Sequence, residues 1–288
     1  IEWSGLPDKP WFGLDPEQFE HVRITGPIAG IWLLVFAMPL MLWTPDRKST
    51  GTTLGGAVRQ GFGQLAATIR KVRRLKNVAL YLIARMFYND GKVAALAYAG
   101  LYAAGIFGWG MPELLMAGLL MTPFSILGGF VGGWTYKWFG PKKAILMSVA
   151  GSMVLLIMSL SMSKTSVFFI IPYDAVTAGP VWGFPVFQTL PEALYISVMM
   201  LFGVTLGAAF ATSRAMMAEI SPVSMLDQFF GLYALSGTAT AFLGHLLVSV
   251  FTSVFQSQRA GIASLAGLLA IGFVLMFWVK EERSPDLV

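Results

Sequence analysis

ARMFYNDGK, residues 84–92, runs directly into VAALAYAGLYAAGIFGWG, residues 93–110. The first segment carries Arg85, Asn89, Asp90 and Lys92, and the second carries no charge at all. Two readings of the junction follow. If one helix covers both segments, three charges and an amide lie inside an apolar structure. If the spanning helix begins after Lys92, those groups lie in water, and the run that remains still meets the roughly 20 residues that crossing a bilayer requires. The first reading makes Arg85, Asn89, Asp90 and Lys92 a candidate site; the second makes them a solvated flank.

The rest of the chain says which solvent to expect. Of 288 residues 56% are hydrophobic and 12% charged, with a mean hydropathy of +0.68. Soluble domains carry about 25% charged residues. The apolar runs are helix-length and lack the two-residue alternation of barrel strands. The expected fold is therefore all-α: a polytopic transmembrane helix bundle of about seven spans. They read as 26–43, 78–108, 113–136, 144–162, 191–213, 229–252 and 260–279. There is no cysteine, which excludes disulfides and thiolate metal sites, and His21 and His245 are the only histidines. No metal-ligand spacing, nucleophile elbow or phosphate loop is present in the sequence. The expectation is no enzyme, no cofactor and no metal. A retinal-type Schiff base is excluded too, because span 260–279 holds no lysine.

Lys and Arg set the orientation. Between residue 45 and the C-terminus, fourteen flank one side of the spans and two, Lys164 and Arg259, flank the other. The basic side comprises the 45–77 linker, Lys137, Lys142 and Lys143 of the 137–143 turn, Arg214, Lys280 and Arg283. By the positive-inside bias these are cytoplasmic. The domain plan is then an extracytoplasmic segment 1–25, a first span 26–44, a basic cytoplasmic linker 45–77, six helices over 78–280 and a cytoplasmic tail 281–288. The run RKVRRLK, 70–76, borders a span, where contact with anionic lipid rather than nucleic acid is expected.

An ionisable group within a span costs about 2.5–3.5 kcal/mol on insertion scales. With a helix starting at Val78, Asp90 lies about 18 Å along it. Arg85, Asn89 and Lys92 share a face, and Asp90 stands about 100° from Asn89. Gly91 allows the backbone to loosen there. Such a set suits a zwitterion or a coupled proton. His245, in SGTATAFLGHLLV, reads as a packed interhelical contact or as a proton relay. Arg214 and Glu219 read as an anchor with a surface acid, or as a gate. Glu113 suits a helix N-terminus by dipole alone. Gly128, Gly129, Gly132 and Gly133 form two overlapping Gly-xxx-Gly pairs, and Gly203 with Gly207 a third, as close helix packing in lipid favours.

The turn GGWTYKWFGPKK, 132–143, resembles the helix–loop–helix signature of the major facilitator superfamily through Gly133, Gly140, Lys142 and Lys143. Lys137 and Trp138 stand where that signature has Asp–Arg. FYNDG (87–91), YAAGIFGW (102–109), TSRAMMAEISP (212–222) and FFGLYALSGTATAFLG (229–244) resemble the Atg22-like branch, also called UMF1, whose fungal members are vacuolar amino-acid effluxers. The resemblance implies that 26–43 is helix 6 and 78–279 helices 7–12 of a twelve-helix transporter. It also implies a multi-pass protein, in bacteria of the inner membrane, that is driven by a proton or ion gradient. The chain begins with Ile and is expected to be a fragment or a processed form. Its partners would be membrane lipids, a small polar solute and the missing N-terminal helices. On this reading Asp90 couples to a proton or cation, Asn89, Lys92 and Arg85 orient the solute, and Arg214 helps close the cytoplasmic side. Rival readings are a passive channel, which would not support counterflow, and a non-transporting scaffold or sensor, which would tolerate Asp90→Asn.

Overall fold

The computed structural model describes residues 20–44 and 75–282, with positions 13, 15, 53, 55, 56, 58–63 and 70. Most of the N-terminal segment, the basic linker and the tail lies outside the described residues. Two compact units result, 1–62 and 63–288. The first contains α1 (Glu20–Arg23) and α2 (Thr25–Trp43). The second contains α3 (Lys76–Phe107), α4 (Met111–Phe139), α5 (Pro141–Leu160), the short α6 (Ala175–Ala178), α7 (Leu190–Ile220), α8 (Leu226–Thr238), α9 (Ala241–Phe255) and α10 (Gln258–Trp278). Among the described residues the only strands are a two-residue pair, Ser166–Val167 with Ile171–Pro172, in the α5–α7 connection.

Among the described residues six helical stretches are long and apolar enough to cross a membrane: α2, α4, α5, α7, the stretch Val223–Phe255 and α10. The remaining expected span, 78–108, is α3, whose charges keep it out of that set. It is nevertheless a single helix of 32 residues, about 48 Å long and more than the roughly 30 Å hydrocarbon core needs. Residues 84–92 and 93–107 are thus one element. Arg85 (6% exposed), Asn89 (8%), Asp90 (4%) and Lys92 (1%) are buried within the bundle. The charges and the amide therefore lie inside the bundle and not on a solvated flank. The helix also runs unbroken through Gly91. That glycine serves packing, since a Cβ there would sit 3.1 Å from Leu269 Cγ of α10.

Local sequence sets the helix ends. Gly108 closes α3 in the left-handed conformation (φ 76°), and its N–H reaches Ala104 O. Glu113 Oε2 accepts the Gly110 N–H at 2.9 Å and starts α4. Gly140 (φ 81°) is the only residue between α4 and α5, and Pro141 follows it at the favoured first helical position. Glu192 caps α7 by accepting the Thr189 N–H at 3.0 Å, and Ser257 Oγ accepts from Ala260 N at the start of α10. At the Gly140 end, Glu281 Oε1 accepts the Lys142 N–H at 2.8 Å. Lys142 Nζ donates to Phe277 O, and Asn77 exchanges two hydrogen bonds with Lys280. The turn signature therefore clamps the C-terminal end of α10.

Between helices in lipid, packing rather than hydrophobic transfer drives association. The α4–α7 contact shows how. A Cβ on Gly132 would stand 2.8 Å from Ala208 Cα, and one on Gly128 would overlap the Val204 carbonyl. Gly129 and Gly133, the other expected pair, have open space where a Cβ would go. The contact therefore uses one register of the two. Gly132→Leu should lower stability by about 1–3 kcal/mol or more through overpacking, while Gly133→Leu should leave it unchanged; thermal aggregation of the two variants in detergent checks the pair.

Candidate functional site

The stretch expected as one span over 229–252 is not one helix. Ala239 and Thr240 form a turn between α8 and α9. A break inside a span exposes carbonyls at the end of the first half-helix and N–H groups at the start of the second. Lipid offers neither a partner, so the protein must supply them.

Three residues of α3 do so. Arg85 Nη1 donates to Tyr233 O and to Ser236 Oγ of α8, each at 2.7 Å. Its guanidinium carbon also lies 3.6 Å from the Tyr233 ring centroid, a cation–π contact. Asn89 Nδ2 donates to Gly237 O at 3.4 Å. Asp90 Oδ2 accepts the Gly244 N–H of the first turn of α9 at 3.0 Å. A cation and an amide thus hold the carbonyl end of α8, and a carboxylate holds the amide end of α9. Each sign matches the helix dipole it meets. Gly244 permits the approach, for a Cβ there would fall 2.6 Å from Ala94 Cβ and 3.3 Å from Asp90 Oδ1. Arg85 Nε and Thr240 Oγ1 are buried polar atoms with no hydrogen-bond partner. The break therefore retains polar capacity that the bundle itself does not use.

The other candidates fall elsewhere. Lys92 has the helical phase of Arg85 and Asn89, yet its ammonium donates to Ser148 Oγ at 2.7 Å, Thr205 O at 3.0 Å and Ser148 O at 3.3 Å, between α5 and α7. The expected grouping of Lys92 with Arg85 and Asn89 is thus not observed. Helical spacing fixes the direction of a side chain's root, whereas a long side chain ends where acceptors are found. His245 follows Gly244, is exposed on the bundle, and meets the Tyr98 hydroxyl through Nδ1 at 3.2 Å. Arg214 is exposed. Glu219 accepts a hydrogen bond from the Tyr136 hydroxyl and so links α7 to α4. Of the turn residues, Gly140 and Lys142 take part in the clamp described above, while Gly133 and Lys143 are exposed.

Sequence reasoning missed a second polar link between α3 and α7. Tyr81 and Tyr88 both bond to Ser213 Oγ of α7 at 2.8 Å, and Tyr81 also donates to Ser213 O at 2.6 Å. A signal was available: Tyr81, Arg85, Tyr88 and Lys92 recur at helical spacing and make a polar stripe through an apolar helix. At the opposite end, Trp109 donates to Glu192 Oε1 at 2.9 Å and packs on Phe187 with ring centroids 4.7 Å apart.

The stretches FYNDG and FFGLYALSGTATAFLG hold Asn89, Asp90, Tyr233, Ser236, Gly237 and Gly244, which meet at the break, while Tyr88 of FYNDG and Ser213 of TSRAMMAEISP join α3 to α7. YAAGIFGW supplies Phe107 and Trp109 of the aromatic cluster. Comparison with known proteins agrees. Residues 15–286 match the family model described as "Vacuole effluxer Atg22 like". An uncharacterized MFS-type transporter, YxiO of Bacillus subtilis, is 24% identical over 264 residues, covering 90% of this chain and 54% of the relative. Autophagy-related protein 22 of Cryptococcus neoformans is 23% identical over 275 residues, 91% of this chain and 45% of the relative. The Yarrowia lipolytica protein of the same name is 24% identical over 286 residues, with the same two shares. The chain thus spans about half the length of the curated relatives it matches. This polytopic helical chain, matched over nearly its whole length by this model, belongs to the Atg22-like family within the MFS-type transporters.

Proposed function

We propose that this chain supplies the C-terminal helices of a secondary active transporter that moves a small polar solute, of the amino-acid type, by alternating access. Asp90 is the coupling group. The observation that carries this reading is the placing of a carboxylate, 4% exposed, against a neutral backbone N–H at the head of a half-helix. A carboxylate locked to a cation has a fixed charge, whereas one held by an N–H and a helix dipole is free to exchange a proton as its surroundings change. Discontinuous helices near the midplane are how many carriers meet their solutes and ions. The names of the relatives, an MFS-type transporter and an effluxer family, favour the same reading.

In this scheme Arg85 and Asn89 fix the α8 half while Thr240 Oγ1 and Asp90 face the solute. His245, beside Gly244, relays the proton through Tyr98. The 137–143 turn lies on the cytoplasmic side, where Arg214 and the Tyr136–Glu219 link bear on closure.

The test uses the full-length protein in liposomes. A mixture of radiolabelled amino acids is supplied with and without an imposed pH gradient, and with unlabelled mixture preloaded. The reading expects gradient-dependent accumulation and stimulation by preloading. Uptake that follows concentration alone, with no counterflow, would make the protein a channel, and no uptake of any label would remove the amino-acid assignment.

A further inference from the structure

Lys92 carries a charge that the scheme above does not use. The residue is 1% exposed. The three protons of its ammonium meet three oxygens, Ser148 Oγ, Ser148 O and Thr205 O, between 2.7 and 3.3 Å. Behind these stand two more oxygens. Ser152 Oγ donates to Ser148 O at 2.9 Å and bonds Thr205 Oγ1 at 2.7 Å. Ser148 Oγ also reaches Thr205 O at 2.5 Å, so α5 and α7 are already joined to each other at this point.

Every partner of the ammonium is a neutral hydroxyl or carbonyl. A fold that needed only to fill this space between three helices would use Leu or Met, since a buried cation without a carboxylate is expensive. A fold that needed only to join α5 and α7 has Ser148, Ser152 and Thr205 for it. What the lysine adds is one positive charge inside a shell of neutral oxygens. Carbonyl and hydroxyl oxygens in such a shell are what hard, weakly charged cations take in place of water.

We propose that Ser148, Ser152 and Thr205 form a monovalent-cation site whose ion is built into the chain as the Lys92 ammonium. The tethered cation holds α3, α5 and α7 together permanently, so the protein needs no sodium ion there. This inference rests on contacts to α5 and α7, separate from those of Asp90 to α9, and it stands or falls independently of the coupling scheme.

The experiment is a thermal-stability comparison on the full-length protein in detergent, at one ionic strength, in NaCl, choline chloride or methylammonium chloride. The wild type is expected to respond equally to all three. Lys92→Ala, which empties the shell, is expected to be less stable in choline and to regain about 2–4 °C or more in sodium or methylammonium. Lys92→Met, which refills the space without charge, is expected to be destabilised in all three. Should Lys92→Ala fail to accumulate, Lys92→Gln decides the matter, because it keeps a hydrogen-bond donor and loses the charge. A Gln variant below wild-type stability supports the site. Lys92→Ala indifferent to the cation, or Lys92→Met or Lys92→Gln as stable as wild type, overturns it.

Discussion

Asp90→Asn in the full-length protein is expected to abolish gradient-driven accumulation while leaving the fold and counterflow in place. Asn has the shape of Asp, and its carbonyl oxygen still accepts the Gly244 N–H now held at 3.0 Å. The α9 half-helix therefore keeps its cap and loses only the ionisable charge. A coupling free energy of about 1–3 kcal/mol corresponds to a loss of roughly 5–150-fold in the gradient's effect on solute distribution. Liposomes carrying the variant would show exchange of labelled for unlabelled amino acid near the wild-type rate, with accumulation no longer following the pH gradient. Accumulation at the wild-type level would remove Asp90 from coupling and restore the scaffold or a different carboxylate as the explanation.

Arg85→Ala carries the largest expected effect on stability. The substitution removes two hydrogen bonds of 2.7 Å from a charged donor and the contact with the Tyr233 ring. Hydrogen bonds to charged groups contribute about 1.5–3 kcal/mol each, although the Tyr233 carbonyl keeps the Ser236 hydroxyl as a donor. A loss of about 3 kcal/mol or more is the expected result. Arg85→Lys should recover part of it, because one ammonium can reach the Tyr233 carbonyl but cannot stack as a planar guanidinium does. Unfolding of the reconstituted protein in a graded denaturing detergent, read by tryptophan fluorescence, measures both. An Arg85→Ala variant as stable as wild type would mean that the end of α8 needs no cation.

The spans were legible in the sequence because a helix that crosses lipid needs one long apolar run and little else. Their observed ends, such as Met111–Phe139 for the expected 113–136, lie beyond the apolar core, where Gly108, Glu113, Gly140 and Ser257 provide caps. The break at Ala239–Thr240 was not legible. SGTAT, 236–240, reads equally well as small residues packing in a continuous helix, and only the partners on α3 distinguish the two. Asp90 was expected to stand apart from the Arg85–Asn89 face, and it does: Arg85 and Asn89 turn to α8 and Asp90 to α9. The position of Lys92 was misjudged because periodicity says which way a side chain leaves its helix and not which neighbour receives it. The glycine pattern had the same limit. Two registers of Gly-xxx-Gly were present, and which one met α7 depended on a neighbour the pattern does not name.

In the proposed mechanism the break in the 223–255 span, held by Arg85, Asn89 and Asp90, lines the transport path. The most direct measurement is the side-specific labelling of Thr240→Cys by a membrane-impermeant thiol reagent, in the full-length protein freed of other cysteines. Labelling is expected from one side at rest, with protection or a change of side when the amino-acid mixture or a pH gradient is applied. Labelling that stays constant from one side under every condition, or never occurs from either in a protein that still transports, would contradict it.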